Sequence, residues 1–132
     1  MNLVKENKFD IIFLGLAKNV EKTISYFFES CEDLSTLNLS ICVIVGENGS
    51  NDGTRQILEN YKTSKLNFIY LNTDFLDFHK NRILRLGYGR EYLKNYIVEN
   101  KIFSKFVSIV DLDTVISKGI DKSEYLETIR VL

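Results

Sequence analysis

Four short, nearly uninterrupted apolar runs punctuate the chain: Ile11–Leu16, Ile41–Val45, Phe68–Leu71 and Phe106–Val110. Strands with one wet face alternate apolar and polar residues, whereas strands buried on both faces of a parallel sheet give continuous runs like these. Between them, apolar positions recur every three or four residues, as on a helix face. Val20, Ile24, Phe27, Phe28, Cys31 and Leu34 form one such stripe, with Asn19 placed to cap it. Ile57, Leu58 and Tyr61 form a shorter stripe after Gly53-Thr54. Ile83, Leu86, Arg90, Leu93 and Ile97 form a longer one, while Asn72–Lys80 has no period and is expected to be an irregular loop. This alternation predicts one α/β domain, a three-layer α/β/α stack with a mainly parallel sheet.

Length and charge narrow the classes. A chain of 132 residues with 45% hydrophobic and 27% charged residues has an ordinary globular composition and is one domain long. A net charge of −1 supplies no overall electrostatic footprint for nucleic acid or an anionic membrane. The longest apolar run, Ile11–Ala17, has seven residues where a membrane span needs about 20, and Met1–Lys8 lacks the layout of a signal peptide. Cys31 and Cys42 lie in apolar segments with no C-x-x-C spacing, which suits a reducing, cytoplasmic setting.

Candidate chemistry gathers at the ends of the runs. In open α/β sheets, ligands bind beyond the carboxyl ends of the strands. Here those ends carry Lys18-Asn19, Glu47–Gly53, Asn72-Thr73-Asp74 and Asp111-Leu112-Asp113. The turn Glu47-Asn48-Gly49-Ser50-Asn51-Asp52-Gly53-Thr54 leads from a strand into a helix, and its acceptor-rich side chains suit a ribose, a base edge or a metal. Its spacing matches neither the P-loop nor G-x-G-x-x-G. A well-capped β-to-α turn, with Asp52 or Ser50 as the cap, explains the same residues equally well. Residues i and i+2 of a strand share a face, so Asp111 and Asp113 can share one hard cation such as Mg²⁺ or Mn²⁺. Arg90 falls on an apolar stripe, where a cation must snorkel, pair with an acid or meet an anionic ligand. His79 is the lone histidine and has no partner for a zinc site.

Together these residues resemble the nucleotide-sugar-binding half of GT-A glycosyltransferases, a Rossmann-like unit. The turn Glu47–Thr54 resembles that family's acidic signature after its second strand, and its wording is nearest to the fungal capsule-associated mannosyltransferases. Arg82-Ile83-Leu84-Arg85-Leu86-Gly87-Tyr88-Gly89-Arg90-Glu91 resembles the arginine-bearing helix of that group, with Gly87 in place of Ala and Glu91 in place of Asn. Asp111-Leu112-Asp113 then stands where the family's D-x-D belongs. The resemblance implies a donor domain that binds a GDP- or UDP-linked sugar and transfers its glycosyl group to an unknown acceptor. It implies that Glu47 and Asn48 face the base or ribose, Asp52 the turn or ribose, and Arg90 the diphosphate. Asp111 is placed near the ribose, and Asp113 holds Mn²⁺ or Mg²⁺ against the leaving group. Only 19 residues follow Asp113, too few for an acceptor half, so the expectation is either that the chain is a truncated product or that a second chain or further copy supplies that side.

Two other classes fit parts of the sequence. Val110–Val115 matches the nucleophile motif of haloacid-dehalogenase-like phosphatases, but that motif opens its fold, and its lysine and second acidic pair have no room downstream. A reduced, non-catalytic GT-A-like module that binds a nucleotide or a partner is the stronger alternative.

Overall fold

The computed structural model describes residues 7–112. The strands β1 (Lys8–Ala17), β2 (Ile41–Glu47), β3 (Asn67–Asn72) and β4 (Phe103–Asp111) form one sheet in the order β3-β2-β1-β4. All three pairings are parallel, with Phe13 opposite both Val43 and Ser108, and Val45 opposite Tyr70. The connections carry the helices α1 (Ile24–Ser35), α2 (Thr54–Asn60) and α3 (Arg82–Glu99).

The central strands β1 and β2 are covered on both faces, which is why they read as unbroken apolar runs. The run Phe106–Val110, expected to be central as well, is instead in the edge strand β4, where Val107 and Ile109 are about half exposed because no strand or helix among the described residues covers them. Successive side chains of a strand point to opposite faces. Ile11 and Phe13 of β1, with Val43 and Val45 of β2, pack with Phe27 and Leu34 of α1 and Leu58 of α2. Ile12, Leu14, Cys42 and Ile44 go the other way, onto Leu93 of α3. Each fully buried aliphatic or aromatic side chain contributes about 1.5–3 kcal/mol. Phe28 stacks on Tyr61 at 3.9 Å, and Phe68 meets both rings edge-on, so one aromatic cluster ties α1 and the end of α2 to β3. Both cysteines are buried and free. Burial pushes the Cys42 thiol up to about 12 and the Cys31 thiol higher still, so both stay protonated core groups.

Three further expectations are corrected. Asn19 does not cap α1: the helix starts at Ile24, and Asn19 stands at φ +55, in the left-handed region. Its side-chain oxygen is committed to the backbone of Asn51, so it is unavailable as a cap. The stretch after β3 is not wholly irregular, because Asp74–Phe78 forms a 3₁₀ turn. On α3, the buried line runs through Gly89 and Leu93, while Ile83 is 78% exposed and Arg90 is also exposed. The reason is Gly89. A Cβ there would stand 2.5 Å from Leu16 Cδ1 and 3.0 Å from Leu76 Cδ1, so a residue with no side chain makes the closest approach to the sheet. A stripe counted over apolar side chains passes it by.

Candidate functional site

The loops leaving β1 and β2 are stitched together by side chains that serve each other's backbones. Asn19 N donates to Ser50 Oγ (3.1 Å), and Asn51 N donates to Asn19 Oδ1 (2.7 Å). Gly53 N donates to Glu21 Oε1 (2.7 Å), and Glu21 N returns a bond to Asp52 Oδ2 (3.2 Å). Val20 N donates to Thr54 Oγ1 (2.8 Å). Five backbone donors that neither helix nor sheet can satisfy are thus paired across two loops. Asp52 Oδ1 also accepts from the backbone N and the hydroxyl of Thr54. Burial alone would raise its pKa, but these bonds together hold it below the usual carboxylate range.

The third loop, after β3, is latched onto the same turn. Asp74 Oδ1 accepts from Gly49 N (2.9 Å) and Arg55 Nη2 (2.5 Å), which lowers its pKa. Asp77 Oδ1 accepts from Asn48 Nδ2 (2.7 Å) and lies 3.5 Å from Lys18 Nζ. Gly49, at φ +57, is required here: any Cβ would run into the Asp77 carboxylate.

Beneath the turn lies Glu47, with 0% of its side chain exposed. Its Oε1 accepts from Arg55 Nε (2.8 Å) and from the Tyr70 hydroxyl (2.9 Å), and its Oε2 accepts from Ser50 N (3.2 Å). Burial raises the pKa of such a group, yet the bonds from Arg55, Ser50 and Tyr70 outweigh it, and the carboxyl is held below its ordinary value. The same contacts raise the Arg55 pKa, and burial together with Glu47 pushes the Tyr70 hydroxyl up to about 12.

A cleft of about 220 Å³ opens beside this assembly, at the carboxyl ends of β1 and β2. Lys18, Asn19 and Asn48 line it from the loops after β1 and β2, Arg82 and Arg85 from α3, and Leu16 and Leu76 complete the lining. Arg85 Nη1 donates to the carbonyls of both His79 and Lys80 (3.0 Å each), which holds its guanidinium in place. A narrower groove shares Leu16 and Leu86 with the cleft and continues along α3 to Arg90, Ile109 and Val110, beside the end of β4. Three cations and two amides converging on a strand-end cleft can hold an anion with hydrogen-bonding edges. Guanidinium forks suit phosphate oxygens.

The residues singled out in the sequence divide into groups. Asn48 borders the cleft while donating to Asp77, and Arg90 lines the adjoining groove. Glu47 is buried within the turn, and Asp52 faces the loop after β1, lining a separate depression with Asn19–Thr23. Asp111 ends β4 with its backbone in register with Leu16, and Asp113 lies outside the described residues. Among the described residues, no cluster of three or more His, Cys, Asp or Glu could hold a metal ion, so those residues do not make a metal site by themselves. Sequence reasoning missed Arg55, Tyr70, Asp77 and Arg85. Only Tyr70 had a usable signal: Val45 and Tyr70 are register partners, which places its ring beside Glu47 once the strand order is known.

No protein-family model matches the chain. No curated protein sequence is similar to it either. The fold does have a solved counterpart, the crystal structure of Staphylococcus aureus TarS residues 1–349, a GT-A-type glycosyltransferase. The two align over 90% of this chain with a TM-score of 0.53 at 23% identity, and the chain spans 31% of the TarS chain's length. At that identity the likeness is one of fold alone, and it supports a Rossmann-like α/β architecture. It lends nothing to the narrower likeness to fungal mannosyltransferases.

Proposed function

We propose that this chain is the donor-binding domain of a glycosyltransferase and that it takes a nucleoside-diphosphate sugar into the cleft at the ends of β1 and β2. One observation carries the reading: Lys18, Arg82 and Arg85 converge with Asn19 and Asn48 on a cleft at the carboxyl edge of a parallel sheet, where ligands of this architecture sit. Arg82, Arg85 and Lys18 bind the diphosphate, with Arg90 extending the cationic line toward β4. Asn48, which both donates and accepts, faces the base or ribose. Glu47 and Asp52 hold the turn that presents Asn48, by way of the bonds to Arg55, Tyr70 and Thr54. Asp111 and Asp113 would hold Mn²⁺ or Mg²⁺, which would supply charge neutralisation to the departing nucleoside diphosphate.

Calorimetric titration with GDP, UDP and their sugars, with Mn²⁺ and then with a chelator, tests the proposal. Binding of one nucleotide that tightens with the metal supports it. Absence of binding at millimolar concentration overturns it. A second reading, a non-catalytic nucleotide-binding or interaction module, draws on the fact that both Glu47 and Asp52 are already engaged inside the protein. Metal-dependent release of sugar from the bound nucleotide decides for the transferase, and binding without turnover decides for the module.

A further inference from the structure

The junction between the 3₁₀ turn and α3 presents apolar side chains that neither core uses. Phe78 is 85% exposed, Ile83 78% and Leu84 51%. Large apolar groups grouped on a surface mark a contact with something other than water.

They are not displayed on a loose loop. His79 N donates to Leu76 O, Asn81 caps α3 by accepting from Ile83 N and Leu84 N, and Arg85 clamps the carbonyls of His79 and Lys80. The His79 ring stacks on Tyr88 at 4.5 Å and meets the Phe78 ring edge-on at 5.6 Å. Leu84 lies one turn before Tyr88 on the same helix face, so the exposed apolar surface is continuous from Phe78 to Leu84. A fixed scaffold therefore points these side chains outward.

The charge around them is predominantly positive. Residues 77–94 contain Lys80, Arg82, Arg85, Arg90 and Lys94 against two carboxylates, Asp77, which pairs with Lys18, and Glu91, in a chain whose net charge is −1. Lys80, Arg82 and Arg90 are exposed. On α3 the spacing of Ile83, Arg90 and Lys94 places cations on the same exposed line as the apolar tip. We infer that this junction docks the protein on an anionic bilayer surface, with Phe78, Ile83 and Leu84 entering the headgroup region and the exposed Lys80 and Lys94, which lie outside the nucleotide cleft, meeting lipid phosphates. The pairing of apolar wedge and basic rim is what an interfacial anchor needs. A stable protein interface takes about 20–30 residues a side, and three apolar side chains set among cations fit a membrane surface better. The inference stands independently of the nucleotide reading.

Co-sedimentation of the full chain with vesicles tests it. Partitioning onto phosphatidylcholine vesicles containing one part in three phosphatidylglycerol is expected to exceed that onto pure phosphatidylcholine by about tenfold or more, and to weaken as salt is raised. The triple substitution Phe78→Ser, Ile83→Ser, Leu84→Ser is expected to lower binding about tenfold or more with an unchanged far-ultraviolet spectrum. Lys80→Glu, which leaves the apolar tip intact, lowers it as well. Equal partitioning onto both vesicle types, or full binding by the triple variant, overturns the inference. So does a concentration-dependent dimer, seen by sedimentation velocity, that the triple variant abolishes while vesicle binding persists; that outcome assigns the patch to a second copy.

Discussion

Arg55 Nε donates to Glu47 Oε1 at 2.8 Å, from the first turn of α2 to the last residue of β2, and the carboxylate it meets is wholly enclosed. Arg55 extends a second nitrogen to Asp74, so one guanidinium joins the turn after β2 to the loop after β3. The cleft's shape depends on this junction, since Asn48 and Gly49 sit directly above it.

Acid should loosen that junction before it unfolds the sheet. The folded-state pKa of Glu47 and that of Asp74 are both depressed. Their contribution is therefore complete above the ordinary carboxylate pKa and is lost as pH falls through the lower folded-state value. Glu47→Gln should lower stability by roughly 1–3 kcal/mol at neutral pH. It should also flatten the acid limb of a plot of stability against pH. Urea unfolding of both proteins between neutral pH and about pH 3 measures this. An unchanged acid limb would show that Glu47 is not the titrating group.

Gly49→Ala should cost about 1–3 kcal/mol, from its positive φ and from displacement of the Asp77 carboxylate. The two contributions separate in a double-mutant cycle, because Asp77→Ala removes the obstacle and leaves only the backbone term.

Lys18 separates binding from folding. Its pair with Asp77 is solvent-exposed on both sides and contributes little, so Lys18→Ala should change stability by less than about 0.5 kcal/mol. Loss of a charge-assisted bond to a diphosphate should weaken nucleotide affinity by about tenfold or more. Equal affinity in the variant would remove Lys18 from the donor site.

Asp113→Ala should abolish the metal dependence of nucleotide binding, with a loss of about 3–4 kcal/mol if two or three orders of magnitude of affinity depend on the ion. Asp113→Asn tests charge at constant shape. Metal-independent binding in the unsubstituted protein would place the whole anion affinity on the arginines and Lys18.

Leu93→Ala should cost about 2–5 kcal/mol by opening a cavity between α3 and the sheet, measured by denaturant unfolding. Leu84→Ala, on the exposed side of the same helix, should stay within about 0.5 kcal/mol.

The sequence by itself determined the sheet. Continuous apolar runs are satisfied between two covering layers, which marked Ile11–Leu16, Ile41–Val45 and Phe106–Val110 as central. The first two are, whereas the third is the edge strand β4, a place in the strand order that its run does not encode. It also determined that polar groups collect at the carboxyl ends, since each run stops at a polar cluster. Tertiary structure decided which of those groups face a ligand. Glu47 and Asp52 look alike in the sequence, as acceptors in one turn, yet one is enclosed by Arg55 and Tyr70 and the other is turned toward Glu21 and Thr54. The groups that enclose Glu47 come from 8 and 23 positions away, Glu21 meets Asp52 across 31, and linear spacing carries no record of such distances. Packing likewise decided that Gly89, with no side chain to count, marks the inner line of α3, because the closest approach of a helix to a sheet belongs to the residue that occupies least space.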